Sequence, residues 1–303
     1  MREVLKTLII GSGSIGIEYA KILRDLGAEV SILDRSNKLN TNETNLIILK
    51  KDFLKFNESE LSKYTHLIIC VQPKNAFKIL NHALKKSSAD ILVEKPVTLF
   101  SSDLRKISSH EFNKRVYVAF NRRMFTSVIE AKKKLIDENI LSIKVTLNEF
   151  KDRIRGHKIE MERWGICNTI HMFDLAFYLF GTPNYYKIIR KKIGDDDIIF
   201  LFSTFNGIPY FFSYGGGGNW SIEALTNENK YLLNPIETLQ IQKKGEMKMK
   251  ISTLKELKNE TSYKPGFLRQ TMLFLEGKRE EFVNFQYYKS LTIFIEKFFD
   301  YKP

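Results

Sequence analysis

The chain has 303 residues, 43% hydrophobic and 27% charged, with a formal net charge of +13, the balance of a folded protein with one large domain or two ordinary ones. No apolar run reaches the roughly 18–20 residues of a membrane span, the N-terminus lacks a secretory pattern, and Cys70 and Cys167 in apolar settings make a disulfide framework a poor expectation. A cytoplasmic protein is expected, and lysines scattered among acids ("EAKKKLIDE", "RKKIGDDD") predict a solvated basic surface that mildly favours anionic small molecules rather than nucleic acid.

The first third alternates short apolar runs with helical patterns. "VLKTLIIG" reads as a strand, "GIEYAKILRDLG" as a helix ending at Gly27, and "AEVSILD" as a second strand. "LIILK", "HLIICVQ", "ADILVEKP" and "RVYVAFN" continue the series, with the amphipathic "KNAFKILNHALKK" between two of them. Strands alternating with helices predict βαβ units and a parallel sheet. Past residue 121 the pattern changes. A helix, "FTSVIEAKKKLIDEN", precedes the alternating strand "SIKVTLNEF". After the apolar helix "WGICNTIHMFDLAFYLFG" come "YYKIIRKKI", "DIIFLFSTF", "IPYFFSYG", "WSIEALTN", "KYLLNP", "TLQIQKKG" and "MKMKIST", punctuated by turns. These predict an antiparallel sheet of hairpins. A last helix is expected at about 279–299, packing back on the first domain. The fold class expected is therefore α/β: a dinucleotide-binding Rossmann domain over 1–121, then an α+β domain over 122–303 with a large, open, mostly antiparallel sheet.

Gly11, Gly13 and Gly16 follow the first strand in the pattern G-x-G-x-x-G, with Ser14 and Ile15 inside it. The first glycine permits a tight turn, the second lets backbone approach a pyrophosphate, and the third allows close helix–strand packing. The free N–H groups of the following helix favour an anion. The second strand ends in Asp34, 18 positions after Gly16, near the spacing of about 20 for a carboxylate on the adenosine ribose. That favours NAD over NADP, although the adjacent Arg35 keeps NADP open. An S-adenosylmethionine methyltransferase and an unliganded α/β scaffold are the other readings of this loop.

The fifth strand runs into Glu94, Lys95 and Pro96. This E-K-P tripeptide, with "GSGSIG", "VAFNRRM" and the "IHMFD" helix in that order, resembles the Gfo/Idh/MocA oxidoreductase family over nearly the whole chain. The resemblance implies hydride transfer at a hydroxyl-bearing carbon of a sugar, cyclitol or nucleotide sugar, with surface-polysaccharide synthesis as one setting. It also implies a homo-oligomer, dimer or tetramer, formed through the open sheet. Lys95, at the carboxyl end of a parallel strand, would bind cofactor and substrate and polarise the reacting oxygen. The neighbouring Glu94, with Gln72 and Pro73 after the fourth strand, would border the cofactor. Arg122 and Arg123 would supply planar donors to the substrate.

His171 and Asp174 lie three apart on the apolar helix, with Asn168 one step earlier. Read alone, His171 is a core histidine; with the resemblance it is the general base, and Asp174 orients it or binds a hydroxyl. Many family members carry an aspartate four residues before the histidine, where this chain has Cys167. That departure keeps two further readings open: a non-catalytic dinucleotide-binding or regulatory protein, and an enzyme that uses tightly held NAD transiently to cleave glycosides. Gly215–Gly218 reads as a flexible hairpin rather than a phosphate cradle. His157 reads as an exposed loop residue. No cysteine–histidine grouping has metal-ligand spacing, so no metal is expected.

Overall fold

In the computed structural model, which describes residues 5–33, 46–149, 156–194, 196–252 and 260–302, the six early apolar runs form one parallel sheet. Its strands are β1 (Lys6–Ile10), β2 (Glu29–Leu33), β3 (Ile47–Leu49), β4 (His66–Ile69), β5 (Asp90–Glu94) and β6 (Val116–Ala119). They lie in the order β3-β2-β1-β4-β5-β6, every pairing parallel. Consecutive residues such as Leu8, Ile9 and Ile10 are all buried, so both faces are covered. That is why these strands read as continuous rather than alternating apolar runs.

Contacts divide the described residues into those within 1–120 and 260–293, and those within 121–258 and 294–302. In the first unit, the helix Ser14–Asp25 buries Tyr19, Ile22 and Leu23, spaced three and four apart as a core-facing helix requires. It stops at Gly27, whose φ of +81° lets the chain turn back. A helix that the sequence reading did not assign, Phe267–Leu275, packs Phe267, Leu268 and Phe274 into the same core as Tyr19 and Ile22. Gln270 donates to the Tyr19 hydroxyl at 2.8 Å, and the Lys264 N–H donates to Glu18 at 2.6 Å. The last helix is shorter than expected, Phe285–Phe299, after a separate 3-10 turn at Arg279–Glu281. The side chain of Asn284 accepts from the Tyr287 N–H at 2.8 Å and so sets the helix start.

Among the described residues the second unit holds eight strands: β7 (Ile140–Leu147), β8 (Tyr185–Ile193), β9 (Asp196–Phe205), β10 (Ile208–Tyr214), β11 (Ser221–Thr226), β12 (Asn229–Leu233), β13 (Leu239–Lys243) and β14 (Lys250–Ile251). Their order is β14-β13-β12-β11-β7-β10-β9-β8. One face is buried and alternates strictly, as in Ile143, Val145 and Leu147 of β7 or Tyr210, Phe212 and Tyr214 of β10. The apolar helix Ile170–Phe180 packs there, with Phe173 stacked on Phe212 at a ring separation of 5.5 Å. The opposite face carries the aromatic rings Phe200, Phe202 and Phe211 beside Ile189, and Phe202 is 49% exposed.

Two expectations need correction here. "MKMKIST" forms only the two-residue strand β14. Gly215–Gly218 is not a hairpin turn, because β10 and β11 do not pair with each other. β7 lies between them, parallel to β10 and antiparallel to β11. The glycine segment therefore crosses the C-terminal end of β7, and a hairpin turn was inferred only because the two flanking strands adjoin in sequence.

Candidate functional site

In the first unit the cofactor residues expected from the sequence converge on the end of β1. Gly11 has φ +119°, and a Cβ there would meet the Cys70 carbonyl oxygen at 2.5 Å. A Cβ on Gly16 would lie 2.0 Å from the Gly11 carbonyl oxygen. Only glycine fits either place, which is the fit a pyrophosphate-binding turn demands. Gly13 precedes the first helical residue, Ser14, followed by Ile15, so this helix offers the open N–H groups of its first turn. A cavity of about 440 Å³ adjoins the turn, with Gly11, Ser12 and Gln72 on one side and the apolar Leu33, Phe53, Leu54 and Ile79 on another. Pro73 begins the helix Pro73–Lys86 directly after Gln72. Asp52 and Asn75 also line this cavity; neither belongs to a motif, so sequence reasoning missed them. Asp34 and Arg35 lie outside the described residues.

Lys95 follows β5 and is half-buried, and its bond to Pro96 is cis. Glu94 accepts a 2.6 Å hydrogen bond from the Tyr19 hydroxyl, and burial raises its carboxyl above the ordinary value against the opposing pull of Tyr19 and Lys95. The E-K-P acid is thus tied into the core of this unit through the chain Gln270–Tyr19–Glu94.

In the second unit the expected polar stripe of Asn168, His171 and Asp174 divides. Residues Gly165–Thr169 form a π-turn ahead of the α-helix, with the Ile170 N–H bonded to the Gly165 carbonyl. The wider turn breaks the spacing of three that would have aligned the stripe. Asn168 donates to Glu149 at 2.8 Å. Asp174, only 1% exposed, is clasped by Arg123 through Nε at 2.8 Å and Nη2 at 2.5 Å, a planar two-bond match. His171 is buried one turn from Asp174. Cys167 is buried, and the carboxylate next to this turn comes from the far end of β7 as Glu149, which also accepts from the Thr169 hydroxyl.

Arg122 and Arg123 part company for the same reason of geometry. They share a 3-10 turn after β6, where adjacent side chains diverge. Arg123 turns to Asp174, whereas Arg122 lies over the Trp220 ring at 4.2 Å. Arg122 lines a cavity of about 340 Å³ with Glu149, Trp164, Asn168, Trp220 and Glu237. The crossing glycine segment closes one wall. The Gly216 carbonyl accepts from the Glu149 N–H, and a Cβ on Gly218 would crowd the Asn148 amide at 2.9 Å. Another wall is fixed where Ser127 donates to the Ile236 carbonyl at 2.7 Å.

Burial raises the Glu149 carboxyl to about 6, despite the stabilising hydrogen bonds of Asn168 and Thr169 and the charge of Arg122. Burial likewise lowers the Arg122 guanidinium to about 10, against the pull of Glu237 and Glu149. A carboxyl poised near neutrality in a cavity with aromatic walls suits hydroxyl recognition and proton handling. Of the expected substrate residues, Arg122 and Asn168 line this cavity; Arg123, His171 and Asp174 do not. Glu149, Glu237 and the two tryptophans were missed, since they come from separate segments with no local pattern. Among the described residues no cluster could hold a metal ion, and no helix is long and apolar enough to cross a membrane.

Comparison with known proteins bears on the fold. The pyridine nucleotide-disulphide oxidoreductase family profile matches residues 6–50, the segment that contains the glycine turn. No curated protein matches the chain. A dehydrogenase from Chromobacterium violaceum superposes with a TM-score of 0.77 at 14% identity, over 98% of this chain and 94% of that one. UDP-N-acetylglucosamine 3-dehydrogenase from Acidithiobacillus ferrooxidans gives 0.73 at 12% identity, over 99% and 98%. An oxidoreductase from Agrobacterium radiobacter, in complex with NAD+, L-tartaric acid and magnesium, gives 0.74 at 13%, over 99% and 96%. The architecture expected from the Gfo/Idh/MocA resemblance, a Rossmann-like unit and a mostly antiparallel open sheet, is the architecture found.

Proposed function

We propose that the chain is an NAD(P)-dependent oxidoreductase acting on a hydroxyl-bearing carbon of a carbohydrate-like molecule. The observation that carries this reading is the glycine turn, whose two sterically closed positions at Gly11 and Gly16 stand at the head of a helix in a parallel sheet. A bound nicotinamide dinucleotide would supply the hydride chemistry. The N–H groups of the helix at Ser14–Asp25 would hold its pyrophosphate, and the apolar wall of Leu33, Phe53 and Ile79 would take the adenine. Asp34 favours NAD over NADP. Lys95 is assigned to hydrogen-bond the reacting oxygen, and His171 to receive the hydroxyl proton. Arg122 and Asn168 are assigned to the substrate.

A sugar or nucleotide sugar is the substrate class this reading favours, in keeping with a fold neighbour that is a UDP-N-acetylglucosamine 3-dehydrogenase. The rings of Phe200, Phe202 and Phe211 on the open sheet face suit pairing with a second copy of the chain. The test is calorimetric titration with NAD and NADP, followed by a screen of sugars and nucleotide sugars for a change in NADH absorbance. No dinucleotide binding would end the reading. If binding holds, His171→Ala and Lys95→Ala are expected to abolish turnover while sparing cofactor affinity.

A second reading, a dinucleotide-binding protein without turnover, draws on the buried Cys167 and on the capture of Asp174 by Arg123. Dinucleotide binding with no turnover across the panel would favour it. Product formation without net NADH change would instead mark transient redox chemistry.

A further inference from the structure

The chain carries a net charge of +13, yet the cavity beside Arg122 has the opposite balance. One guanidinium faces two carboxylates, Glu149 and Glu237. A phosphate dianion placed there would meet more negative than positive charge inside a partly desolvated space, where such repulsion is costly. The remaining walls suit something else. Arg122 makes no hydrogen bond to a protein acceptor among the described residues, and its guanidinium lies over the Trp220 ring at 4.2 Å, which leaves its N–H donors available to a ligand. Glu149 is held by Asn168 and Thr169, which fixes its carboxylate and leaves it acceptor-only when ionised. Trp164 adds an apolar wall. Fixed acceptors, a planar donor and an indole wall together match a ring whose edges are hydroxyls and whose faces are C–H.

We propose that Glu149 is the specificity-determining residue of this cavity: its ionised carboxylate accepts hydrogen bonds from the hydroxyls of an uncharged ring, excludes anionic rings, and releases the ligand when protonated. Any phosphate or diphosphate on the substrate then lies outside this cavity. The inference deepens the carbohydrate reading above and rests on it for calling the ligand a substrate. The groups facing Glu149 set its response to pH. Asn168 and Thr169 of the π-turn, and Trp164 just before it, do not titrate near neutrality. Arg122 stays charged and favours the ionised form. Tyr301 stays neutral, because burial pushes it up to about 12. Glu237 acts on Glu149 through Arg122. Protonation of Glu149 itself is therefore the event between mildly acidic and neutral pH.

The test is equilibrium binding to the full chain by calorimetry. Glucose, N-acetylglucosamine and myo-inositol serve as neutral probes, and glucuronate and glucose 1-phosphate as anionic ones. At least one neutral probe is expected to bind, about tenfold more weakly one pH unit below the Glu149 midpoint than well above it. Glu149→Gln is expected to weaken that probe about tenfold at neutral pH and to flatten its pH dependence. Glu149→Asp, which keeps the charge, is expected to restore the dependence; a merely structural role would not produce that recovery. Anionic probes that outbind their neutral parents, a Glu149→Gln variant that keeps the pH dependence, or no binding by any neutral probe would each overturn the proposal. NAD-dependent turnover with an unchanged pH profile in Glu149→Gln would defeat this inference alone. Glu149-dependent binding without redox turnover would defeat the oxidoreductase reading alone.

Discussion

The two sheets bury themselves in different ways, and the sites they carry differ accordingly. In the parallel sheet both faces are covered, and the candidate cofactor site at the carboxyl end of β1 is made of backbone: two glycines whose missing Cβ atoms let the turn pack against neighbouring backbone carbonyls. In the mostly antiparallel sheet one face is buried, and the candidate substrate cavity at its end is made of side chains. These come from the turn after β6, the end of β7, the π-turn, the glycine crossing and the loop around Glu237. A backbone site tolerates almost any side chain nearby but no substitution of its glycines. A side-chain site depends on charges whose burial must be compensated one by one. Each should therefore fail in its own way.

The largest effect on ligand binding is expected at the backbone site. Gly16→Val would drive a side chain into the Gly11 carbonyl and should weaken dinucleotide binding by at least about 100-fold, or about 2.7 kcal/mol. Fluorescence titration measures it, and unchanged affinity would break the contrast between the sites. The largest effect on stability is expected at the buried pair of the second unit. Asp174→Asn leaves the Arg123 guanidinium without its counter-charge and should cost about 3–5 kcal/mol in urea unfolding. An Arg123→Leu, Asp174→Leu double variant should cost less than the single change, because no charge is stranded.

Glu149→Gln should act in the other direction. Glu149 titrates at about 6 when folded against 4.5 ordinarily, so the folded state holds its proton more tightly than the unfolded chain. Its contribution is fully present below the ordinary value and is lost as pH rises through 6. The variant should therefore be more stable than the parent by about 1–2 kcal/mol at pH 8 and equal to it near pH 4. A variant less stable at both values would show that the carboxylate is structural. Smaller still, Asn57→Ala removes the cap of a capping box with Glu60 in the first unit and should cost about 1 kcal/mol. Least of all, Glu223→Gln, which breaks a cross-strand pair with Lys230 on the half-exposed face, should change stability by under about 0.5 kcal/mol.

The same contrast explains how much was legible in the sequence. The glycine turn was readable because its function is local: Gly11, Gly13 and Gly16 lie within one turn, between a strand and a helix. The parallel sheet was readable because burial on both faces leaves continuous apolar runs. Glu149 was not readable, since nothing at position 149 announces that Asn168 and Thr169 will fold against it. The stripe of Asn168, His171 and Asp174 was inferred from regular helical spacing, and the π-turn interrupts that spacing between the first two. The helix Phe267–Leu275 was missed because its apolar face is defined only by the Tyr19 core it covers. Order along the chain also misled for Gly215–Gly218, where two strands adjacent in sequence are separated in the sheet by a third.

That third strand has a consequence for how the chain assembles. β7 ends at Leu147, while the strands on its two sides begin at Ile208 and Ser221. On a ribosome adding roughly 5–20 residues per second, β7 waits about 3–12 s before its first neighbour even exists. Throughout that interval Ile143, Val145 and Leu147 present a pairing edge with nothing to pair to, and a stalled or truncated chain ending before β10 would expose it permanently. The glycine crossing that forms one wall of the cavity also leads into the strand that closes β7 on its second side, so part of the ligand pocket takes shape in the same step that ends the nascent chain's exposure to aggregation.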